Sequence, residues 1–343
     1  MAYISFQPND YFNTKLYTGT GSSNAQTGVG FQPDWIWLKN RSSSSNHHLV
    51  DAVRGITKEL RSNLSNSEAT DDQLITAFGS DGFTLGTSGS GNTNGDNYAS
   101  WNWKANGAGS SNTDGSITST VSASATSGFS IVKYVGTGSN ATIGHGLGAV
   151  PSVVFVKKTS GTGDWIGYFK ALGNTKNARF NTTDAADTNS TVWNSTTPTS
   201  SVFSVGTFGE TNGSGDTFVA YCFAEKKGFS KFGSYIGNGN ADGAFIYTGF
   251  KPALFVVKRY DSSGEYWNVL DNKRNPENPA DDFLYWSENS AEGVKSSKID
   301  FVSNGIKIRG TDGAFNNSSG SYIYMAFAEE PLVASNGTPA TAR

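Results

Sequence analysis

One pattern is written three times along the chain, and this repetition limits the possible folds more than any other feature. Each copy opens on a Tyr-x-Gly-x-Gly motif, continues through a proline that starts an apolar run ending in lysine, and closes on an aromatic segment. In copy order, these landmarks are Tyr17, Pro33 and Trp103; Tyr134, Pro151 and Phe223; and Tyr235, Pro252 and Phe327. The nearly equal spacings predict three related modules in tandem, an arrangement that presents surfaces more often than it houses one catalytic centre.

The composition favours β-strands joined by polar turns. Charged residues make up 16% of the 343 residues, against about 25% in soluble proteins, and 41 glycines and 13% aromatic residues accompany them. Unbroken apolar runs predict strands covered on both faces, and they lie at residues 35–38, 153–156 and 254–257. The chain is therefore predicted to be all-β, with three tandem antiparallel β-sandwich modules.

The repeat and the local composition predict the boundaries of the modules. The predicted segments are an N-terminal docking arm (1–13), module 1 (14–106), a flexible linker (107–128), module 2 (129–226), module 3 (227–331) and a C-terminal tail (332–343). The linker is rich in Gly, Ser and Thr, although residues 117–121 suit a short strand. Modules of roughly 100 residues can bury cores of their own. Only residues 226–228 separate modules 2 and 3, which are expected to be in close contact.

Charge and cysteine content argue against several classes of protein. The net charge is −3 without a basic cluster, which gives no electrostatic basis for binding nucleic acid. No apolar run approaches 18 residues and the N-terminus lacks a basic, apolar leader, so neither membrane insertion nor export is expected. The single cysteine, Cys222, forms no intrachain disulfide and is expected to be a buried thiol.

The sequence gives no credible catalytic, metal or cofactor site. The histidines, His47, His48 and His145, do not recur between copies, and no ligand spacing surrounds them. The glycine-rich segment 144–148 leads into a strand and not from a strand into a helix, so it does not match a phosphate-binding loop. Asp281 and Asp282 are a loop acid pair of the kind a glycosidase might use, but solvated side chains are the preferred interpretation. We therefore predict a non-enzymatic protein without cofactor or metal.

Aromatic residues supply the candidate binding contacts. The tryptophans of the apolar runs and closing segments align with apolar residues in the other copies, which predicts that they fill the core. The variable middle of each module holds the aromatic residues proposed as receptor or partner contacts, which are Trp193, Tyr266, Tyr285 and Trp286. In the arm, Phe6, Tyr11 and Phe12 are proposed to dock onto the particle or a neighbouring subunit. The alternative is that they complete the sheet of module 1.

Charged residues at repeated positions are predicted to have structural roles. The pairs Asp51/Arg54 and Asp271/Arg274 occupy nearly the same place in modules 1 and 3 and are expected to fix a turn or to join modules. Module 2 lacks the pair, which argues against a shared active site. A lysine ends each apolar run and is expected to mark the point where the run reaches the surface; these lysines are Lys39, Lys157 and Lys258.

The combined motifs resemble a repeat domain of virion proteins from marine tailed bacteriophages. The resemblance rests on the Tyr-x-Gly-x-Gly openings, the Pro-x-Trp-x-Trp-x-Lys segment at residues 33–39 and the Asp-x-x-Arg-Gly segment at residues 51–55. The start of the chain, residues 4–19, is also similar to the starts of such proteins. The resemblance covers nearly the whole chain, most clearly module 1. It implies a structural or appendage component, often without a demonstrated activity.

The expected function is therefore that of a tailed-phage structural protein acting by multivalent attachment. Its place is expected to be a tail fibre, a tail-associated adhesion protein or a head decoration, in a virion assembled in the host cytoplasm. The expected partners are other virion proteins, two further copies of the chain in a trimer, and a host surface glycan or protein. A carbohydrate-binding β-sandwich protein and a polysaccharide depolymerase remain as alternatives.

Overall fold

The computed structural model describes residues 6–329, except for the side chains of residues 296–298, and confirms the all-β class with antiparallel sheets. Residues 1–5 of the predicted arm and the predicted tail lie outside the described residues. Among the described residues, the helices are a 3-10 turn at Pro8–Asp10 and three single-turn α-helices. Low charge, many glycines and β-branched or aromatic runs account for this bias toward strands.

Module 1 is a six-stranded sheet packed against a three-stranded one. Its elements are β1 (Phe12–Thr18), β2 (Asn24–Gln26), β3 (Trp35–Asn40), β4 (His47–Asp51), β5 (Lys58–Leu60), β6 (Ala69–Thr70), β7 (Ala77–Gly79), β8 (Gly82–Leu85), α1 (Gly89–Asn92) and β9 (Asn97–Trp103). The larger sheet has the order β1-β9-β3-β4-β5-β6, and the smaller one has the order β2-β8-β7.

Module 2 has an eight-stranded and a two-stranded sheet. Its elements are β10 (Ser110–Asn112), β11 (Ser119–Ser124), β12 (Phe129–Val135), β13 (Ala141–Gly144), β14 (Val153–Lys158), β15 (Trp165–Phe169), β16 (Lys176–Arg179), β17 (Asp187–Thr188), β18 (Val202–Val205), α2 (Gly209–Asn212) and β19 (Thr217–Phe223). The order of the large sheet is β10-β11-β12-β19-β14-β15-β16-β17, and β13 pairs with β18.

Module 3 is one eight-stranded sheet that folds over its own core. Its elements are β20 (Ser230–Ile236), β21 (Phe245–Tyr247), β22 (Leu254–Arg259), β23 (Asn268–Asp271), β24 (Ala280–Tyr285), β25 (Gly293–Val302), β26 (Gly305–Arg309), α3 (Gly313–Asn316) and β27 (Ser321–Phe327). The order is β20-β27-β22-β23-β24-β25-β26-β21.

The same four strands form the spine of every module. The closing strand of each module lies between its first strand and its proline-led strand, and the spines are β1-β9-β3-β4, β12-β19-β14-β15 and β20-β27-β22-β23. The registers also agree, because the pairs Trp35↔Trp103, Val153↔Phe223 and Leu254↔Phe327 occupy equivalent positions. These registers give the residue-by-residue equivalences between modules that are used below.

Each proline-led strand separates two cores, which explains its unbroken apolar run. In β3, Ile36 and Leu38 belong to a core within module 1, whereas Trp35 and Trp37 face a second core. Modules 2 and 3 likewise have cores of their own. The second core is common to all three modules and contains their closing aromatic residues. Both faces of these strands are therefore dry, as the sequence predicts.

The closing aromatic residues meet in a triangle at the centre of the common core. Trp103 lies 6.5 Å from Phe223 and 5.6 Å from Phe327, and Phe223 lies 5.7 Å from Phe327, measured between ring centroids. All three pairs are edge-on, with interplanar angles of 70°, 76° and 64°. Three residues, one from the same position of each module, therefore surround a pseudo-threefold axis.

The three tandem modules form a ring around the common core. Each module buries one face against the other two, so a module is not independent of its neighbours even though it has a core of its own. The expected contact between modules 2 and 3 is present, and module 3 also contacts module 1.

The predicted flexible linker is ordered. Residues 107–128 contain β10 and β11, and β11 pairs with β12 along the edge of the sheet of module 2. Val121 and Ile117 place their side chains in the core of that module, and this burial outweighs the flexibility expected from the Gly/Ser/Thr composition.

Candidate functional site

The modules meet at three junctions that repeat the same backbone contact. At each junction an N–H of one module donates to a carbonyl just beyond the proline-led strand of the next. The three bonds are Glu68 N to Thr159 O (3.1 Å), Ala186 N to Tyr260 O (2.8 Å) and Glu292 N to Arg41 O (3.0 Å). Because the third bond returns from module 3 to module 1, the ring is closed.

Asp51 and Arg54 form the buried polar centre of the junction between modules 1 and 2. Asp51 is fully buried and accepts hydrogen bonds from Arg54 Nε at 2.5 Å and from the Arg54 backbone N–H at 2.8 Å. The Tyr221 hydroxyl of module 2 donates to the same carboxylate at 2.7 Å. Arg54 also donates to Glu68 and to the Leu49 carbonyl. The pair therefore fixes a turn and joins two modules, as the sequence allows.

Asp271 and Arg274 repeat this arrangement between modules 3 and 1. Arg274 Nε donates to Asp271 at 2.6 Å, and Trp101 Nε1 of module 1 donates to the same carboxylate at 3.1 Å. Arg274 also donates to Glu292, which in turn pairs with Arg41 of module 1 at 2.6 Å. An aromatic donor from the neighbouring closing strand thus contacts the aspartate at both junctions.

The third junction replaces every charged member of this network with an apolar residue. By strand register, Phe169 stands where modules 1 and 3 have Asp51 and Asp271. Leu172 takes the place of the arginine and Ala186 that of the glutamate, and Met325 takes the place of the aromatic donor. Phe169 and Met325 lie in the common core, and Leu172 packs against it. Each junction therefore has either the whole set of charged residues or the whole set of apolar replacements.

Burial and the aspartates oppose each other in setting the electrostatics of the two charged junctions. Burial lowers the pKa of Arg54, but the interactions with Asp51, Tyr221 and Glu68 together outweigh it, so the pKa lies above its usual value. The same balance, with Asp271, raises the pKa of Arg274. Burial raises the pKa of Tyr221 well above its usual value, and the Asp51 charge reinforces the shift. Both arginines therefore stay charged and Tyr221 stays a donor.

A ring N–H bonds a carbonyl of the preceding module at each junction. Trp165 Nε1 donates to the Arg61 carbonyl at 2.9 Å, and Trp267 Nε1 donates to the Arg179 carbonyl at 2.8 Å. At the equivalent position of module 1, His47 Nε2 lies 2.8 Å from the Tyr285 carbonyl, while its Nδ1 accepts from Trp37 Nε1. These contacts assign a neutral His47 with its proton on Nε2, and burial lowers its pKa well below the usual value. His47 thus substitutes for tryptophan as a donor.

The lysines that end the apolar runs are buried, and two of them bond across a junction, which corrects the expectation that they reach the surface. Lys39 Nζ donates to the Asn289 carbonyl of module 3, and Lys157 Nζ donates to the Ser65 carbonyl of module 1. Lys258 Nζ donates to the Glu265 carbonyl. Burial lowers the pKa of all three lysines to about 8, although nearby glutamates partly oppose it. Backbone carbonyls, and not close carboxylates, solvate these ammonium groups.

The buried lysines lead us to expect stability to increase from neutral to moderately alkaline pH. Their pKa is about 8 in the folded chain and 10.5 in the unfolded chain, so between these values the unfolded chain binds more protons and the free energy of unfolding rises with pH. We expect a gain of about 2 kcal/mol per lysine between about pH 7.5 and about pH 9.5. Urea denaturation at several pH values measures it.

A junction variant is the matched control for this pH effect. Lys157→Met removes one titrating group while keeping the aliphatic stem, so the rise should shrink by about a third. Cys222 acts in the opposite direction because burial raises its pKa to about 12. Its contribution is smaller than the sum of the contributions of the three lysines, because it is a single group. Stability that falls over this range, or a slope unchanged in the variant, would contradict the assignment.

The predicted receptor contacts divide into buried and partly exposed residues. Trp193 is buried against Tyr168 in the core of module 2, and Trp286 is buried in the common core beside Phe155. These two predictions are wrong, because the variable middle segments fold inward and bury their largest apolar side chains. Tyr266 and Tyr285 are partly exposed and stack on each other at 4.3 Å, so they keep the predicted accessibility.

The predicted docking arm packs on its own chain where it is described. Phe12 is buried in β1 and contacts Trp103 and Phe327, so it helps fill the common core. Phe6 packs edge-on against Phe229 of module 3 and against Tyr11. Completion of the sheet of module 1, the alternative from the sequence, therefore describes Phe12, whereas Phe6 and Tyr11 are partly exposed and their docking stays a prediction.

Sequence reasoning missed a buried asparagine that fixes the opening loop of every module. In module 1, Asn92 accepts from Thr20 N and donates to the Ser22 and Gly86 carbonyls. The equivalent residues, Asn212 and Asn316, make the corresponding bonds in modules 2 and 3. The sequence does contain a signal, because each of these asparagines ends a four-residue segment that starts with Gly and forms a short helix. It was missed because asparagine is common in the chain. The exposed Tyr-x-Gly-x-Gly loops are therefore rigid.

The chemistry of the described residues is that of structural polar contacts. Within residues 6–329, no group of three His, Cys, Asp or Glu side chains is arranged to hold a metal ion. No helix in the same range is long and apolar enough to cross a membrane. His48 lies 2.6 Å from Glu59, and His145 contacts the Thr199 carbonyl. The geometry thus offers junctions that hold modules together and rigid loops that face solvent.

Comparison with known proteins places the chain in a family. The model of the domain of unknown function DUF7483 matches residues 7–331, which is nearly the whole chain, and the chain therefore belongs to that family. No curated protein and no solved structure matches the chain.

Proposed function

We propose that this member of the DUF7483 family is a non-enzymatic structural protein on the exterior of a tailed-phage particle, acting by multivalent attachment. The observation that carries the proposal is the closed ring, in which the repeated charged and aromatic residues are used to join modules around one core. The sequence resemblance to phage virion proteins supplies the context. A rigid ring of this kind suits a mechanical role in an assembly.

The ring displays three copies of one loop from a rigid base. The loops that follow the Tyr-x-Gly-x-Gly tyrosines are mostly exposed, and a buried asparagine holds each of them against its helix. The three loops are related by the repeat, so a partner with threefold symmetry can contact all of them at once. Three weak contacts made together raise the overall affinity through effective concentration.

A single chain therefore presents three equivalent loops, which a symmetric homotrimer would present with three chains. Three copies joined covalently can differ from one another, as the junction residues already do, while keeping the threefold geometry. The predicted homotrimer and the host-surface partner stay predictions. A position at a threefold site of the particle follows from the proposal.

Purified phage particles test this function. We expect quantitative mass spectrometry to find the chain at a fixed ratio to the major capsid protein, and antibodies against the folded chain to label intact particles. Particle reconstruction should then place the ring on the outer surface. Absence from particles, labelling only after disruption, or clearing of a polysaccharide by the pure protein would contradict the proposal.

A further inference from the structure

Module 2 closes its sheets with a segment that module 3 lacks. In module 2, β11 runs along the outer edge of β12, and Ile117 bridges in parallel to Ile143 of β13. The segment 115–124 therefore covers two strand edges, one after the other. It belongs to the connection from module 1 to module 2, and this connection is about 20 residues long.

The cover on β13 depends on backbone hydrogen bonds and a close approach. The Ile117 N–H donates to the Thr142 carbonyl at 3.0 Å, and the Thr142 N–H donates to the Ser116 hydroxyl at 2.9 Å. Gly115 lies so close to the Thr142 carbonyl that a Cβ would have no room. Ile117 itself is buried in the core of module 2. A small residue, a hydroxyl and a β-branched side chain thus form the covering strand.

The equivalent edges of module 3 have no such cover. Among the described residues, β20 pairs with β27 and otherwise has only an isolated bridge between Lys226 and Ser230, and β21 pairs only with β26, so both lie at the ends of the sheet. The connection from β19 to β20 consists of residues 224–229, which reach about 20 Å at most. That length is too short to run along both edges.

Large apolar side chains are exposed along these edges. Phe245 and Tyr247 on β21 are 48% and 62% exposed, whereas Ile236 at the end of β20 is 59% exposed much like its module 2 equivalent Val135 at 51%, which lies beyond the residues that β11 covers. A cleft of about 550 Å³ follows β20 and is lined by Phe232 and Gly233 of that strand. Exposed apolar residues on an uncovered strand edge mark a place where another strand adds.

The backbone of β21 presents its bonding groups outward at the aromatic residues. Thr248 N donates to the Asn304 carbonyl, and the Ala244 carbonyl accepts from Ile308 N, so the even-numbered residues face β26. The N–H and C=O of Phe245 and Tyr247 therefore point toward the open edge. By register Phe245 is the equivalent of Thr142, the residue that binds the covering segment in module 2.

We propose that the open edges of β20 and β21 in module 3 bind an extended segment of a partner chain by strand addition. The segment would have the chemistry of residues 115–121, with glycine or serine beside β21 and a β-branched residue that covers Phe245. Main-chain hydrogen bonds would supply affinity, and the apolar contacts specificity. This inference does not depend on the phage assignment, because it concerns an edge of the folded chain itself.

Binding of a peptide that copies the cover of module 2 tests the proposal. The probe is a fluorescently labelled peptide with the sequence of residues 114–124, titrated into the full-length protein and followed by anisotropy. We expect saturable binding and none with a scrambled peptide. Phe245→Pro removes an outward N–H without removing a bond to β26, so the affinity should fall about tenfold.

The repeat offers a matched control at the same position of module 1. Ala25 of β2 is the register equivalent of Phe245, and Ala25→Pro should leave peptide binding unchanged. If Phe245→Pro does not fold, Tyr247→Glu keeps every backbone donor and should still weaken binding, because it places a charge on the apolar edge. Thermal unfolding checks the fold of each variant.

Three outcomes would overturn the proposal. One is no saturable binding, or equal weakening by Ala25→Pro. Another is self-association of the protein that Phe245→Pro abolishes, which would identify a second copy as the occupant. The third is tighter peptide binding in Leu332→Asp, which would identify the chain's own tail. Absence of the protein from phage particles would remove the proposed function and leave this test intact.

Discussion

Asp51→Ala is expected to lower the free energy of unfolding by about 3–5 kcal/mol, because it removes the buried carboxylate closest to the Arg54 guanidinium and leaves only the part-exposed Glu68 as a charge partner. The substitution also removes the acceptor of the Tyr221 hydroxyl, which lies across the junction in module 2. Urea denaturation at neutral pH measures the loss. Asp271→Ala should give a similar loss at the other charged junction.

The apolar junction supplies the control for this prediction. Replacing the whole charged set by its module 2 and module 3 counterparts gives the variant Asp51→Phe, Arg54→Leu, Glu68→Ala and Tyr221→Met. Exchanging a complete buried ion network for packed apolar residues is often neutral or stabilising, whereas removing one member is costly. The fourfold variant should therefore be more stable than Asp51→Ala. If Asp51→Ala lowers the free energy of unfolding by less than about 1 kcal/mol, the Asp51/Arg54 pair does not stabilise the fold appreciably and the prediction is wrong.

A chain that ends after module 2 is expected to lose its cooperative fold. Residues 1–226 would expose the rings of Trp103 and Phe223, which module 3 covers through Phe327. Exposed aromatic surface of this extent drives association or loss of packing. We expect aggregation in sedimentation velocity and weak near-ultraviolet circular dichroism, whereas the full chain should sediment as one defined species and unfold in one transition.

Complementation controls for damage caused by truncation alone. Fragments 1–226 and 227–343, produced together, should assemble and restore the near-ultraviolet signal, because the junctions between modules depend on contacts and not on the short connection. A monomeric fragment 1–226 with its own sharp transition would instead support independent modules. Failure of the fragments to assemble would show that the connection is essential to the ring.

Local patterns were sufficient where one strand determines its own environment. The apolar runs predicted strands buried on both faces, and β3, β14 and β22 are such strands because each separates a module core from the common core. The Asp51/Arg54 and Asp271/Arg274 pairs were recognised because their spacing places both charges at one turn. The positions of these residues in the ring were not predicted.

Errors arose where a residue's surroundings come from another module. Lys39 looked like the end of a strand, but a carbonyl of module 3 binds its ammonium group. Trp286 looked displayed because its segment varies between modules, yet it fills the common core. The Gly/Ser/Thr-rich segment 107–128 looked flexible, but the edge of β12 offers it a ladder of hydrogen bonds. The partners of Lys39 and Trp286 lie far away in the sequence, whereas β12 follows the 107–128 segment directly and only the formed sheet shows that its edge is free to pair.

The sequence by itself determined the all-β class, the three copies and the apolar strands on which they are built, because strand formation and the spacing of turns depend on neighbouring residues. Only the tertiary structure decided that the copies close into a ring, because closure depends on which faces exclude water together. The same apolar pattern suits a solitary sandwich as well as one that shares its second face, and the triangle of Trp103, Phe223 and Phe327 exists only when all three modules meet.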